Sequence, residues 1–250
     1  MSYAVLEKQL RDLSIADLAQ AFERLPGLTK QDAGVRAKDA AGVLATHLSR
    51  ADAGLLSKAL AERFIATLIV DQDSLPQLPK ARAVRRAIPR EEDLVIYDPL
   101  GREQQIPWSS VTLLAAGNVH EEDFKHAHAA RDPAHAARSR VALSDLEAKQ
   151  SIRLNLMLEI LLSCEPRRCC IEGNIFSYEF LGDRRSNRTA DNFVTFVRLV
   201  MQRARGAVRN RGAELFRTIP PQALTYPSRH AFEREIVWQL WARRAPVPVA

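Results

Sequence analysis

The chain has 250 residues, 46% hydrophobic and 26% charged, which is the balance of an ordinary globular protein and excludes a fibrous or wholly disordered one. Its net charge of +6 is uneven: residues 151–250 carry sixteen basic side chains, all arginine, against nine acidic ones. No apolar run reaches the roughly 18 residues of a membrane span, and the start, "MSYAVLEKQL", has no basic opening followed by an apolar stretch. A cytoplasmic location without a membrane partner is therefore expected.

The first 75 residues alternate between element types. "YAVLEK" reads as a strand. Ser14-Ile-Ala-Asp17 is a helix-capping pattern, and Ile15, Leu18, Ala19 and Phe22 behind it share one helical face. "LPG" at 25–27 stops that helix, and Thr29-x-x-Asp32 opens a second. "GVLATHLS" alternates as a strand. Ser49-x-x-Asp52 starts a third helix, on which Leu56, Leu60 and Phe64 recur at every fourth position, and "IATLIV" follows as a β-branched strand. The order is β-α-α-β-α-β.

Within that order, "GLTKQDAGVRAKDA" and "LSRADAGLLSKALAERFIATLIV" resemble the C-terminal domain of the bacterial ribosomal stalk protein and the related fold of the ClpS adaptor, over about residues 3–71. The resemblance implies a small sheet covered by helices that docks protein partners through its helical face. The chain departs from the family at two places. The lysine-rich surface is reduced to Lys30, Arg36 and Lys38, and the usual glycine before the last strand is replaced by Phe64-Ile65. The acidic pocket with which the adaptor holds an N-terminal amine is not found, so only the fold carries over.

Residues 76–93, "PQLPKARAVRRAIPREED", read as a Pro- and Arg-rich linker. Beyond it, residues 94–215 read as a strand-rich domain. "LVIYDPLGREQQIPWSSVTLLAAG" is a hairpin and a third strand, with its turn at Asp98-Pro99-Leu100-Gly101. "SIRLNLMLEILLS" alternates strictly from Ile152 to Leu162, and "RRCCIEG" and "IFSYEFLG" look like two more strands. "TADNFVTFVRLVMQRA", within 189–206, is an amphipathic helix with Phe193, Phe196, Val197, Val200, Met201 and Ala204 on its apolar stripe. Several strands closed by one such helix resemble the bacterial pleckstrin-homology-like barrel over about residues 94–206. That likeness implies a docking scaffold with the helix plugging one end of a curved sheet, and no phosphoinositide site. The fold class expected for the whole chain is α+β. The tail, 216–250, ends in an amphipathic helix, "SRHAFEREIVWQLWARR".

Candidate chemistry is sparse. His120, His126, His128 and His135 are spaced by six, two and seven, which does not suit a helical zinc site. They lie in an Ala-, Arg- and Asp-rich stretch that reads as a mobile insertion, 120–148. Cys164, Cys169 and Cys170 match no zinc or redox spacing. Alternation along a strand predicts one of the adjacent pair in the core and the other exposed. No Gly-rich phosphate loop or catalytic signature is present, so no cofactor and no metal are expected. The most specific surface is basic. Arg198, Arg205 and Arg209 fall on the polar side of the 189–206 helix with Gln202 between them, and Arg184, Arg185 and Arg188 stand at its N-terminal approach, where free N–H groups favour an anion. Phe232, Trp238 and Trp241 are candidates for binding a partner through the tail helix, and docking of that helix onto the protein's own surface is the other reading. The function expected is a non-catalytic protein-interaction or adaptor module, with RNA or ribosome association through the arginines as the alternative.

Overall fold

The computed structural model describes residues 1–98, 100–121, 153–165, 167–218 and 223–244. Strand β1 (Tyr3–Glu7) is followed by α1 (Ile15–Phe22), α2 (Lys30–Asp39), β2 (Val43–Leu48), α3 (Arg50–Ala61) and β3 (Thr67–Asp71). Ser14, Thr29 and Ser49 each accept a hydrogen bond from a backbone N–H three residues on, which satisfies a donor the first helical turn leaves free. The sheet is antiparallel in the order β2-β1-β3. Val5, Leu18, Phe22, Leu44, Leu56 and Leu60 form the core between this sheet and its helices.

Phe64 departs from its expected place on the α3 stripe. The helix ends before it, and Phe64 takes φ 58° and stands 89% exposed. That left-handed turn is where glycine costs nothing and a side chain is strained. Phe64→Gly is expected to raise the free energy of unfolding by about 1 kcal/mol, read from urea denaturation at unchanged slope.

The second half contains β4 (Arg82–Ala83), β5 (Ala87–Pro89), β6 (Asp93–Tyr97), β7 (Glu103–Pro107), β8 (Val111–Glu121), β9 (Arg153–Leu162) and β10 (Arg168–Glu172). They are followed by α4 (Thr189–Arg203), β11 (Val208–Arg209), α5 (Arg211–Leu215), β12 (Thr225–Tyr226) and α6 (Arg229–Arg244). The main sheet runs β11-β8-β9-β10-β4, with β12 also paired to β8, and β5-β6-β7 form a separate antiparallel sheet. One face of the main sheet, with Leu114, Leu158, Ile160 and Ile171, packs with Phe193, Phe196 and Val200 of α4 and with Leu94, Ile96 and Ile106 of the small sheet. The expected stripe on α4 is thus wholly consumed in this core.

The other face is covered by α6. Phe232 and Ile236 enter a core with Leu113, Ala115, Met157, Leu161 and Cys170. The opposite side of α6 presents Val237, Trp238 and Trp241 to Ala4, Leu6 and Val43, the face of the N-terminal sheet that its own helices leave bare. The tail helix is therefore shared by two sheets. Trp238 Nε1 donates to Glu7 O at 2.8 Å, and Arg234 Nη1 donates to Leu44 O at 3.2 Å. Gly42 makes the approach possible, because a Cβ there would lie 2.6 Å from that of Trp238.

Three expectations change. Residues 76–93 are no free linker: β4 pairs with β10, β5 pairs with β6, and Val84 and Ala87 are buried. "IFSYEFLG" is not a strand. A 3-10 segment at Glu179–Arg184, kinked at Gly182 with φ 53°, takes its second half, and Phe176 and Phe180 turn inward against Phe196. Cys169 and Cys170 are both buried, because both faces of β10 are covered. The insertion expected over 120–148 lies, beyond Glu121, outside the described residues, as do His126, His128 and His135.

Candidate functional site

Arginines 198, 205 and 209 come together. Helix α4 carries the first, the turn behind it the second and β11 the third, and Arg217, beyond α5, completes the ring. With Gln202 on the wall and Met201 at the base they line a concavity of about 290 Å³. Three of them are held in place by backbone carbonyls, Arg205 through Nε donating to Gln202 O at 3.3 Å. Arg198 donates Nε to Phe216 O and Nη2 to Thr218 O, both at 2.8 Å, and Arg209 Nη2 donates to Met201 O at 3.2 Å. A carbonyl fixes a guanidinium without cancelling its charge. Among the described residues Glu214 is the one acid engaged with the ring, accepting from Arg209 at 3.3 Å and from Arg217 at 3.0 Å. Arg209 Nε is buried and has no partner among the described residues. Four cations against one carboxylate leave the concavity strongly positive.

Arg184, Arg185 and Arg188 are exposed but stand at the N-terminal end of α4, with Arg188 ten residues, or about 15 Å along the axis, from Arg198. That helix end is not open to an anion. Asn192 exchanges two hydrogen bonds with the backbone of Ser186, and Asp191 places its own carboxylate in the first turn, accepting from Ser186 Oγ at 3.2 Å. The six arginines expected on one surface are therefore two groups, of which only Arg198, Arg205 and Arg209 line a recess. Arg217 escaped the sequence reading because it belongs to the segment taken for a tail.

Phe232 does not serve a partner: it is fully buried in the core beneath α6. Trp238 and Trp241 are half-buried against the N-terminal sheet, so docking on the protein's own surface is what the tail helix does.

The buried acids are spoken for. Glu7 accepts from the N–H groups of Gly42 and Arg11; burial pushes its carboxyl above the ordinary range, and those two bonds oppose the rise. Glu235 accepts from Arg211 at 2.9 Å and from the Tyr226 hydroxyl at 3.1 Å. Glu159 is shared by Arg168 and Arg229. Burial raises the Cys169 thiol to about 12 and pushes the Cys170 thiol upward from its ordinary value, which keeps both protonated at neutral pH. Among the described residues no group of three or more His, Cys, Asp or Glu side chains is placed to hold a metal ion, and no helix is long and apolar enough to cross a membrane. His120 lies on β8 opposite Leu154.

The fold and this recess define a mixed α+β protein with a cationic surface concavity. No family model, curated protein or solved structure matches the chain.

Proposed function

We propose that the chain is a non-catalytic adaptor that takes an acidic segment of a partner protein into the concavity ringed by Arg198, Arg205, Arg209 and Arg217. The convergence of these four side chains on one recess carries the reading. Arginine pairs with carboxylates through two parallel N–H···O bonds, and such charge-assisted contacts are the strong ones. The size of the recess suits one or two carboxylates with their methylenes on Met201. A nucleic-acid backbone asks instead for a continuous track of cations and for aromatic rings to stack bases. Here the two arginine groups are separated by about 15 Å of α4, and no aromatic residue lines the recess. The stalk- and adaptor-like wording of residues 3–71 agrees with a partner-docking role.

Fluorescence anisotropy with a labelled oligoglutamate peptide tests this, with a labelled oligouridylate of equal length beside it. The peptide is expected to bind, and Arg205→Glu with Arg217→Glu is expected to weaken it at least tenfold, since each charge-assisted bond is worth about 1.5–3 kcal/mol. Tighter binding of the oligouridylate would move the function to RNA, and binding of neither probe would end both readings.

A further inference from the structure

Sheet edges expose unpaired backbone groups, and proteins guard them with very short strands, charge, proline or a bulge. Among the described strands every edge but one is guarded. The main sheet ends in the two-residue strands β4 and β11. The small sheet ends in β5, which contains Pro89, and β7, which carries Glu103 and Pro107. In the N-terminal sheet β2 is bent at His47, which has φ 58°, and its Leu44 carbonyl is capped by Arg234. The exception is β3, five residues of Thr-Leu-Ile-Val-Asp with Ile69 43% exposed.

The register says which groups are free. Lys8 N donates to Ala66 O and Gln72 N to Ser2 O, so residues 66, 68, 70 and 72 turn their backbone groups toward β1. Thr67, Ile69 and Asp71 point theirs away from the sheet, with Asp71 O also accepting from Ser74 Oγ at 2.6 Å through one of its two lone pairs. This pattern is self-complementary about Ile69: a second β3 laid antiparallel pairs Ile69 with its own copy and Thr67 with Asp71.

A second feature agrees. Helix α3 packs across both β1 and β3, so its axis lies roughly half a strand spacing inside β3. Adding a copy of β3 at about 4.8 Å then sets the two α3 axes about 10 Å apart, at the upper end of ordinary helix packing. Ser57 touches Thr67 at 2.7 Å, and Arg50 lies over the ring of Tyr3, which pairs with Asp71. Helix and strand therefore run antiparallel. Ile69 is about 6.6 Å beyond Thr67, or about four helical residues back from Ser57, which is the level of Ala53 and Gly54; Ala53 is buried in the core, so Gly54 is the one of the two that reaches the surface. A glycine in mid-helix costs about 0.5–1 kcal/mol against alanine, and nothing inside the protomer calls for it: a Cβ at Gly54 would meet nothing within 4 Å.

We propose that this chain forms a two-fold dimer by pairing β3 with β3 of a second copy, with the α3 helices in contact across the axis at Gly54. A strand of five residues alone falls short of the roughly 1,000 Å² that a specific interface buries; the twelve-residue α3 against its copy adds a second contact surface. The dimer presents two arginine recesses, but it rests on a different surface and stands or falls independently of what they bind.

Sedimentation velocity over a dilution series of the purified chain is the test. The weight-average mass should rise toward twice the chain mass as concentration increases. Ile69→Pro removes an outward N–H and leaves the β1–β3 bonds intact. Gly54→Arg improves helix propensity while placing bulk and like charge on the axis. Each should shift the dimerisation midpoint at least tenfold upward with an unchanged circular dichroism spectrum. A chain that stays monomeric at every concentration overturns the proposal, as does a dimer whose midpoint neither substitution moves.

Discussion

Glu159→Gln is expected to lower the free energy of unfolding by about 3–5 kcal/mol, the range for breaking one partner out of a buried ion pair. Glu159 is fully buried on the α6 side of β9. Its carboxylate accepts from Arg168 Nε at 2.6 Å, from Arg168 Nη2 at 2.8 Å, and from Arg229 Nη2. Glu233 on α6 accepts from the same two arginines at 2.6 and 3.1 Å. The cluster is thus two cations and two anions that tie α6 to β9 and β10. Burial alone would lower the affinity of Arg168 for its proton, but the bonds and charges of Glu159 and Glu233 outweigh that and raise its pKa. Burial would likewise raise the Glu233 carboxyl, and the two arginines hold it below its ordinary value instead. With glutamine at 159, two guanidiniums that cannot release a proton face a single carboxylate. The double substitution Glu159→Met with Arg168→Met leaves Arg229 and Glu233 as a matched pair, and it should recover more than half of the loss. Urea denaturation of the wild type, Glu159→Met, Arg168→Met and the double variant yields the coupling energy directly. A loss under 1 kcal/mol for Glu159→Gln would mean that water reaches the cluster.

This cluster also marks where the sequence stopped being readable. Alternation along 152–162 places Leu156, Leu158, Ile160 and Leu162 on one buried face, and the structure agrees. The residues between them are Asn155, Met157, Glu159 and Leu161, and a period of two says only that they share the other face. Whether that face meets water depends on α6, which returns from the far end of the chain. The same helix decides the fate of Cys170, Phe232 and Trp238. Local signals were reliable where the physics is local: Ser14, Thr29 and Ser49 marked three helix starts because a cap satisfies donors within three residues. The basic recess was half legible. Arg198, Arg205 and Arg209 follow from helix periodicity and a short turn, whereas Arg217 arrives only once α5 packs on β8 and the residues after it return to α4 through Phe216. The two-residue strands β11 and β12 left no pattern at all, since a run of two has no period.

Those short strands set up the second large effect. Asn210→Ala is expected to lower the free energy of unfolding by about 3 kcal/mol, from several buried groups left unpaired at about 1–3 kcal/mol each. β11 pairs with β8 at Leu113 and Leu114, and β12 pairs with it at Asn118 and Val119, so the edge of β8 has a gap between them. The side chain of Asn210 fills that gap as a peptide group would. Its Oδ1 accepts from Ala116 N at 2.9 Å, and its Nδ2 donates to Ala116 O at 3.2 Å. Oδ1 also caps α5 through Ala213 N at 2.8 Å, while Nδ2 reaches the Tyr226 hydroxyl at 2.9 Å. The fit is close on the backbone side too, since a Cβ on Gly212 would lie 1.9 Å from Ala116 O. Asn210→Asp is the sharper control. It keeps the shape and the Oδ1 bonds but turns an oxygen toward the Ala116 carbonyl, so it should lose at least as much stability as alanine does. If Asp is tolerated while Ala is not, the role of Asn210 reduces to capping α5, and the bridging of β8 is wrong. Arg209 and Arg211 flank this residue on either side. Loss of the bridge frees β11 from β8 and lets Arg209 leave the recess, so oligoglutamate binding should fall in the same variants that lose stability, and in Asn210→Ala it should fall at temperatures where the rest of the fold is still intact.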